Sequence, residues 1–427
     1  MRVGLDDTDS RNGGCTTHIL FHLLTAVPDL ALRGPPSLVR LNPNNPRKTR
    51  GNGAIAFELV RRTGPATVVG SWQGSAILAH PEGERLAASP AWLDRLWSAV
   101  AQHAEPDAAS GLLLVDQAEP ASFYWDAVRR HVEAPELRGL HRTRNEGWGL
   151  IGARAALAWP GPPTSFELIA YRHPASVGSP RLVTPAPLAS LDASVSFHSI
   201  DPDSGRPTCV PNTPCPVLAG VRSRNAARLL REGLPAMRAA LEPFDTWMLW
   251  QTNQASGDHV TPVASVAQAP PLGTVGVAAR VTNRPRRAEG GHLAMACQDD
   301  AGTAFEAMAF EPTKGFRDVV DLLRPGDRIL AVGAFADGAL RLEKLRVDAT
   351  ATETASSGNP LCSCGDRMKS AGAGVDLRCP TCGSKAPRRL HAVERTVALG
   401  WHEVPVGARR HLHRPVAWGA GDNFKAP

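Results

Sequence analysis

Three carboxylates fall within four residues in the run Asp6-Asp7-Thr8-Asp9-Ser10. Like charges this close repel one another, and a shared cation relieves the repulsion. Oxygen ligands of this kind suit Mg²⁺, which bridges on to phosphates. A solvated acidic turn is the other reading. Just downstream, Gly13-Gly14-Cys15-Thr16-Thr17 sets two glycines ahead of a helical pattern. Backbone N–H groups of such a loop can close on an anion, and the helix dipole adds attraction. Thr16 offers a hydroxyl as phosphate ligand or acceptor, although an ordinary helix cap has the same composition. The run Arg47-Lys48-Thr49-Arg50-Gly51-Asn52-Gly53 carries three cations among its glycines. Arg grips phosphate with two parallel N–H groups and Lys acts as a point charge. No GxxxxGK[ST] sequence is present, so a nucleotide site would be of another design, and a charged hairpin loop is the alternative.

Two further constellations lie toward the C-terminus. Gln251-Thr252-Asn253-Gln254 is followed by Asp258-His259. Amides such as Asn253 suit a base edge or a ribose, and an Asp-His pair suits acid–base or metal work. Cys362-Ser363-Cys364 and Cys379-Pro380-Thr381-Cys382 place four of the eight cysteines within 21 residues. That density points to a structural Zn²⁺. The first pair is CxC, one residue shorter than the usual knuckle. Cys15, Cys209, Cys215 and Cys297 are scattered and read as small buried apolar residues.

These groups need elements to hold them. Val3-Gly4-Leu5 reads as a buried strand delivering Asp6, and Cys15–Ala26 as a helix. Asn42–Gly53 is a loop by composition, and Ala54–Val60 a strand. Trp92–Val100, Phe123–His131 and Gly152–Trp159 read as helices. Gly111–Val115, Phe166–Tyr171, Ser194–Ser199 and Thr246–Trp250 read as strands, and Gly220–Leu241 as one long helix. After the linker Ala269-Pro270-Pro271, five strands are expected at Gly273–Val281, His292–Gln298, Thr303–Phe310, Arg328–Phe335 and Leu340–Val347. Short strands in series suggest a small barrel of the OB type. Ala349–Gly358 reads as a flexible joint. The fold class is thus multidomain α+β.

With 427 residues, 43% hydrophobic and 21% charged, the chain has the composition of a globular protein of several domains. The acidic N-terminus lacks the apolar core of a signal peptide and no stretch is long enough to span a bilayer, so a cytoplasmic location is expected. The net charge is +6. Arg388, Arg389, Arg395, Arg409, Arg410 and Arg414, with His391, His402, His411 and His413, are opposed only by Glu394 and Glu403. Such a tail suits phosphate-backbone contacts, or is a solvated basic segment.

In order along the chain, GLDDTDSRNGGCTT (Gly4–Thr17), LVRLNPNNPRKTRGNGA (Leu38–Ala54), GWGLIGARAALAW (Gly147–Trp159), ELIAYR (Glu167–Arg172), TPCPVLAGVR (Thr213–Arg222), QTNQASGDH (Gln251–His259), NPLCSCGDRMKSAG (Asn359–Gly372) and ARRHLHRP (Ala408–Pro415) resemble the motifs of the TiaS family. That resemblance implies a kinase-like α/β ATP-binding domain (1-118), a ferredoxin-like domain with a return segment to the active site (119-268), an OB-fold β-barrel (269-350) and a zinc ribbon with a basic tail (351-427). It implies ATP-dependent joining of agmatine to the 2-position of the wobble cytidine in isoleucine tRNA with a CAU anticodon, releasing AMP and phosphate. Asp6, Asp7 and Asp9 would be the Mg²⁺–ATP carboxylates and Thr16 the residue that becomes phosphorylated. Gly13, Gly14, Thr17, Lys48, Arg50, Gly51 and Asn52 would surround the nucleotide. Asn253, Asp258 and His259 would meet substrate, and Glu167 and Asp201 are the candidates for agmatine's guanidinium. Cys362, Cys364, Cys379 and Cys382 would hold Zn²⁺. The barrel and ribbon would grip the acceptor stem and the N-terminal domain the anticodon loop. A tRNA- or single-strand-binding protein without catalysis, and a ligase using another amine such as lysine, are the competing expectations.

Overall fold

A computed structural model describes residues 1–419 apart from 134–136, 371, 373 and 374. The last eight residues of the expected C-terminal module therefore lie outside the described residues.

The N-terminal half is organised around strand β1 (Arg2–Asp6), followed by helix α1 (Thr16–Ala26), β2 (Ser37–Arg40) and β3 (Gly53–Arg61). Helix α2 (Pro90–His103), β4 (Gly111–Val115), α3 (Ala121–Arg129), β5 (Leu140–Thr143) and α4 (Gly149–Leu157) complete it. β1 lies between β3 and β4, antiparallel to both, because Val3, Gly4 and Leu5 are buried on each face of the sheet. One side of this sheet carries α1 and α2 over Leu5, Phe21, Leu23 and Leu96; the other carries α3 and α4 over Val39, Leu113 and Tyr124. α4 sits unusually close to the sheet because glycines meet there. A Cβ on Gly4 would lie 2.4 Å from the Ala153 carbonyl oxygen, and one on Gly111 2.2 Å from the Leu150 nitrogen. β5 pairs with β4, so the N-terminal unit runs on past residue 118 into α4.

The sheet continues without a break into the next segment. β6 (Ser165–Tyr171) pairs antiparallel with β7 (Val217–Ser223) and with β8 (Thr246–Thr252), and β8 runs parallel to β2. The expected helix Gly220–Leu241 is thus a strand for its first part. Val217-Leu218-Ala219-Gly220-Val221 fills the sheet, and the helical stretch begins only after Asn225, whose side chain accepts from the Arg228 N–H at 3.0 Å.

All five expected barrel strands are present, as β9 (Thr274–Val281), β10 (Leu293–Asp299), β11 (Ala304–Ala309), β12 (Arg328–Ala336) and β13 (Ala339–Ala349), with helix α5 (Gly315–Asp321) between β11 and β12. The pairings β9–β12, β12–β13, β13–β11, β11–β10 and β10–β9 close a ring, the β11–β13 contact being parallel. This is the OB arrangement, and its interior is Val275, Val277, Leu293, Phe305, Ile329 and Leu345.

Two expectations for the C-terminal region are corrected. The stretch read as a flexible joint contains the strand Glu353–Ser356, which pairs with Leu390–Val393. The basic tail is also not free. Gly400–Glu403 adds a strand to β13, and Leu412 is buried against the N-terminal core. Arg395 binds Asp327 through two nitrogens at 2.5 and 2.8 Å. Arg409 pairs with Glu403 at 2.8 Å, Arg410 with Glu343 at 3.0 Å, and His413 with Glu403 at 2.8 Å. Arg414 donates to the carbonyls of Trp418 and Gly419. Arg395 and Arg410 thus tie the tail to the barrel, while Arg409, His413 and Arg414 are bonded within the tail itself.

Candidate active site

Where β1 ends, the sheet, α1, α4 and the β2–β3 loop surround a cavity of about 350 Å³. Asp6, Asp7, Asp9, Thr16, Thr17, Lys48, Arg50, Gly51 and Asn52 all line it, from positions separated by up to 46 residues. The chain leaves the strand in a left-handed turn, with φ +55° at Asp7, a region that Asp tolerates better than most residues. This turn fans the three carboxylates around the strand end. Gly152 of α4 makes room for the first, since a Cβ there would stand 1.8 Å from Asp6 Oδ2.

The acids are held at a cost. Burial, then Asp7, pushes Asp6 well above the usual carboxylate range. Burial and Asp9 push Asp7 up to about 6. Burial also raises Asp9, against the pull of Arg50. Carboxylates that destabilise one another in this way call for a counter-charge, which Arg50 supplies to Asp9.

Thr16 opens α1 with its hydroxyl in the cavity wall. Its Oγ1 accepts from the Thr8 hydroxyl at 3.1 Å, which leaves its own proton free to point elsewhere. Gly13 and Gly14 do not line the cavity; their carbonyls accept from Arg50 at 3.0 Å each. Arg50 also binds Asp9 and the Ser10 carbonyl. It therefore clamps the acidic loop while lining the cavity. The Lys48 ammonium donates to the Pro43 carbonyl, and Asn52 donates to the Asn42 carbonyl at 2.7 Å.

The other expected substrate residues are placed differently. Asn253 is fully buried, accepting from the Arg40 N–H at 2.7 Å and donating to the Tyr124 hydroxyl at 2.8 Å. That hydroxyl in turn donates to Asp258 at 2.6 Å. His259 pairs with Glu343 at 3.0 Å inside the junction with the barrel. None of the three lines the cavity. They brace the two halves together, as buried polar groups must find partners. Asp201 lies off the cavity in a turn, accepting from Ser204 at 2.9 Å. Glu167 does line it, but between Arg40 at 3.7 Å and Arg222 at 3.8 Å, with Gln254 donating at 2.6 Å. Already flanked by two guanidiniums, it offers no open carboxylate to a third.

The cavity also contains Arg40, Trp148 and Arg222, for which no chemistry was expected, and His411, expected only among the phosphate contacts of the basic tail. Trp148 and Arg222 sit in the runs Gly147–Trp159 and Thr213–Arg222, where only the motif, not a chemical role, was visible. Arg47 lies over the Trp148 ring at 3.6 Å. Arg40, ahead of burial, drives the His411 imidazole well below its ordinary range, so this histidine is neutral.

In the C-terminal module, the sulfurs of Cys362, Cys364, Cys379 and Cys382 lie within 4.8 Å of one another, with two pairs at 3.4 Å. Tetrahedral Zn–S bonds of about 2.3 Å imply S···S edges of roughly 3.8 Å, so the four thiols fit one zinc. The shortened first pair reaches the site because Gly365 turns with φ +93° and the Cys362 N–H bonds the Asp366 carbonyl at 2.7 Å. Cys362 and Cys379 are buried with Met368 and Leu377 in a small core of their own.

The chain matches the descriptions TiaS TCKD domain over residues 2–145, TiaS FLD domain over 147–259 and TiaS C-terminal zinc ribbon domain over 359–397. It is 35% identical over 424 residues to the isoleucine-tRNA 2-agmatinylcytidine synthetase TiaS of Archaeoglobus fulgidus, covering 97% of this chain and 96% of that one. The TiaS of Methanosarcina mazei is 31% identical, with 97% of each chain covered. Among solved structures, the complex of TiaS with its isoleucine tRNA and ATP superposes with TM-score 0.81 and 31% identity, covering 97% of this chain and 96% of the other. The complex of TiaS with the same tRNA, AMPCPP and agmatine gives 0.80 and 29%, with coverage of 100% and 98%. Identity at this level along the whole length, with three TiaS domain matches in order, means that the chain belongs to the TiaS family of isoleucine-tRNA 2-agmatinylcytidine synthetases.

Proposed function

We propose that this protein is an ATP-dependent carbon–nitrogen ligase that joins agmatine to the 2-position of the wobble cytidine of the isoleucine tRNA with a CAU anticodon, releasing AMP and phosphate. The observation that carries the reading is the cavity that gathers three strained carboxylates, the Thr16 hydroxyl and the Lys48 ammonium at one strand end. Full-length kinship with named synthetases supports it.

The chemistry needs the cytidine O2 turned into a leaving group. AMP as product requires both anhydride bonds of ATP to break: one phosphoryl group would pass to Thr16 and on to water, and the other to O2. The amine of agmatine, having given its ammonium proton to water, then forms the C2–N bond, the C2–O bond breaks with its electrons leaving on phosphate, and the second amine proton goes to that phosphate. Asp6, Asp7 and Asp9 would hold Mg²⁺, which supplies charge neutralisation to the phosphates when bound. Arg50 fixes the acidic loop, and Thr16 presents its hydroxyl as a phosphoryl acceptor. Trp148, backed by Arg47, offers a flat face to a nucleobase.

We take the N-terminal unit as kinase-like and the following unit as ferredoxin-like. We place their boundary beyond residue 118, since β5 pairs with β4 on the first sheet and the two family matches meet between residues 145 and 147. The four cysteines would hold one structural Zn²⁺. A cytoplasmic setting, where tRNA and ATP are available, fits this chemistry, and no described helix is long and apolar enough to cross a membrane. The decisive experiment offers agmatine and lysine in parallel with ATP and the CAU isoleucine tRNA. Agmatine alone should appear in the tRNA. Incorporation of lysine, or tRNA binding with no ATP cleavage, would replace this reading.

A further inference from the structure

We propose that the part of the cavity wall formed by Arg40 and Arg222 is a phosphate site, and that agmatine is excluded from it. The wall is built around a charge imbalance. Glu167 is one carboxylate facing two guanidiniums, at 3.7 and 3.8 Å, both beyond hydrogen-bond length. The guanidinium side chains are only 15% and 12% exposed, and the Nε of each is buried with no hydrogen-bond partner among the described residues. Gln254 satisfies Glu167 from behind at 2.6 Å, and Gly220 leaves the carboxylate room, since a Cβ there would meet it at 2.4 Å. Glu167 thus spaces the two arginines without saturating either.

Buried guanidiniums with unspent donors are costly unless an anion visits them. Two forks converging on one cavity match the oxygens of a phosphate. Lys48 adds a further positive charge at the same cavity, and neutral His411 subtracts none. Agmatine, whose guanidinium is a cation, is repelled from this wall. The inference rests on the reading that a phosphoryl group is transferred and released here; the phosphate that leaves the cytidine is the occupant.

The test uses the full-length protein and inorganic phosphate. Calorimetry should show phosphate binding to wild type, and phosphate should inhibit agmatine transfer to the tRNA. Arg222→Gln should weaken both by about tenfold or more, and Arg222→Lys, which keeps the charge but not the fork, should fall between. The KM for agmatine should not fall in either variant. No phosphate binding by wild type, a result independent of how either variant folds, overturns the proposal. So does Arg222→Gln with unaltered phosphate inhibition and a lower agmatine KM, which would mark Glu167 as a guanidinium site. Failure of wild type to modify the tRNA at all would instead strike the functional reading beneath.

Discussion

Gly152→Ala is the sharpest probe of the acidic site, because its effects on stability and on catalysis should separate. The added Cβ would lie 1.8 Å from Asp6 Oδ2, 2.6 Å from its Cγ and 3.0 Å from its Cβ, whereas ordinary contact begins at 3.4 Å. The carboxylate must withdraw by well over an ångström or α4 must lift from β1. Stability changes little. Alanine in place of a helix-interior glycine gains about 1 kcal/mol, and overpacking costs about 1–3 kcal/mol. Catalysis has no such offset, since a displacement near 1 Å at a reacting centre costs on the order of 100-fold. The expected result is a melting temperature close to wild type with tRNA-dependent ATP cleavage reduced about 100-fold in kcat. Tight tRNA binding should persist. A variant that folds and retains kcat within about twofold of wild type would refute the placement of Asp6 in the phosphate-transfer site.

Arg395→Ala leaves the fully buried Asp327 without its bidentate partner and should cost about 3–5 kcal/mol in denaturant unfolding of the barrel; a loss under about 1 kcal/mol would mean the carboxylate finds water. Burial raises Glu343, but His259, Arg410 and His413 outweigh it and bring the carboxyl down to about 2. Its folded pKa is below the unfolded one, so its stabilising contribution is complete above the unfolded value of 4.5 and is lost as pH falls toward 2. Glu343→Gln should therefore be less stable at neutral pH and show a flatter acid limb in stability against pH; an unchanged limb counts against the pairing. Chelation, or Cys379→Ser, should release one zinc per chain, and amide exchange should quicken across 359–397 while the interior of the barrel stays protected. Loss of barrel protection would show that the ribbon does not fold as its own unit.

Local features were readable from residue order. β1, β4 and the five barrel strands follow from continuous or alternating apolar runs ended by turn residues, and those patterns depend only on neighbours in sequence. The acidic loop and the four cysteines were legible for the same reason, since each cluster is packed into a short run. Gly220–Leu241 was misread because a buried strand and a helix share an apolar composition, and only pairing of β7 with β6 separates them. Charge in the tail was visible, but not its use: Arg395, Arg409 and Arg410 meet acids that lie 68, 6 and 67 positions away. The partners of Asn253, Asp258 and His259 were equally illegible, since their hydrogen bonds run to Arg40, Tyr124 and Glu343. Sequence by itself determined which short segments could carry metal and phosphate chemistry, because ligand type and spacing are local. Only the tertiary structure decided which charged groups are neutralised by partners and which keep free donors in the cavity, because a partner's distance in space bears no relation to its distance along the chain.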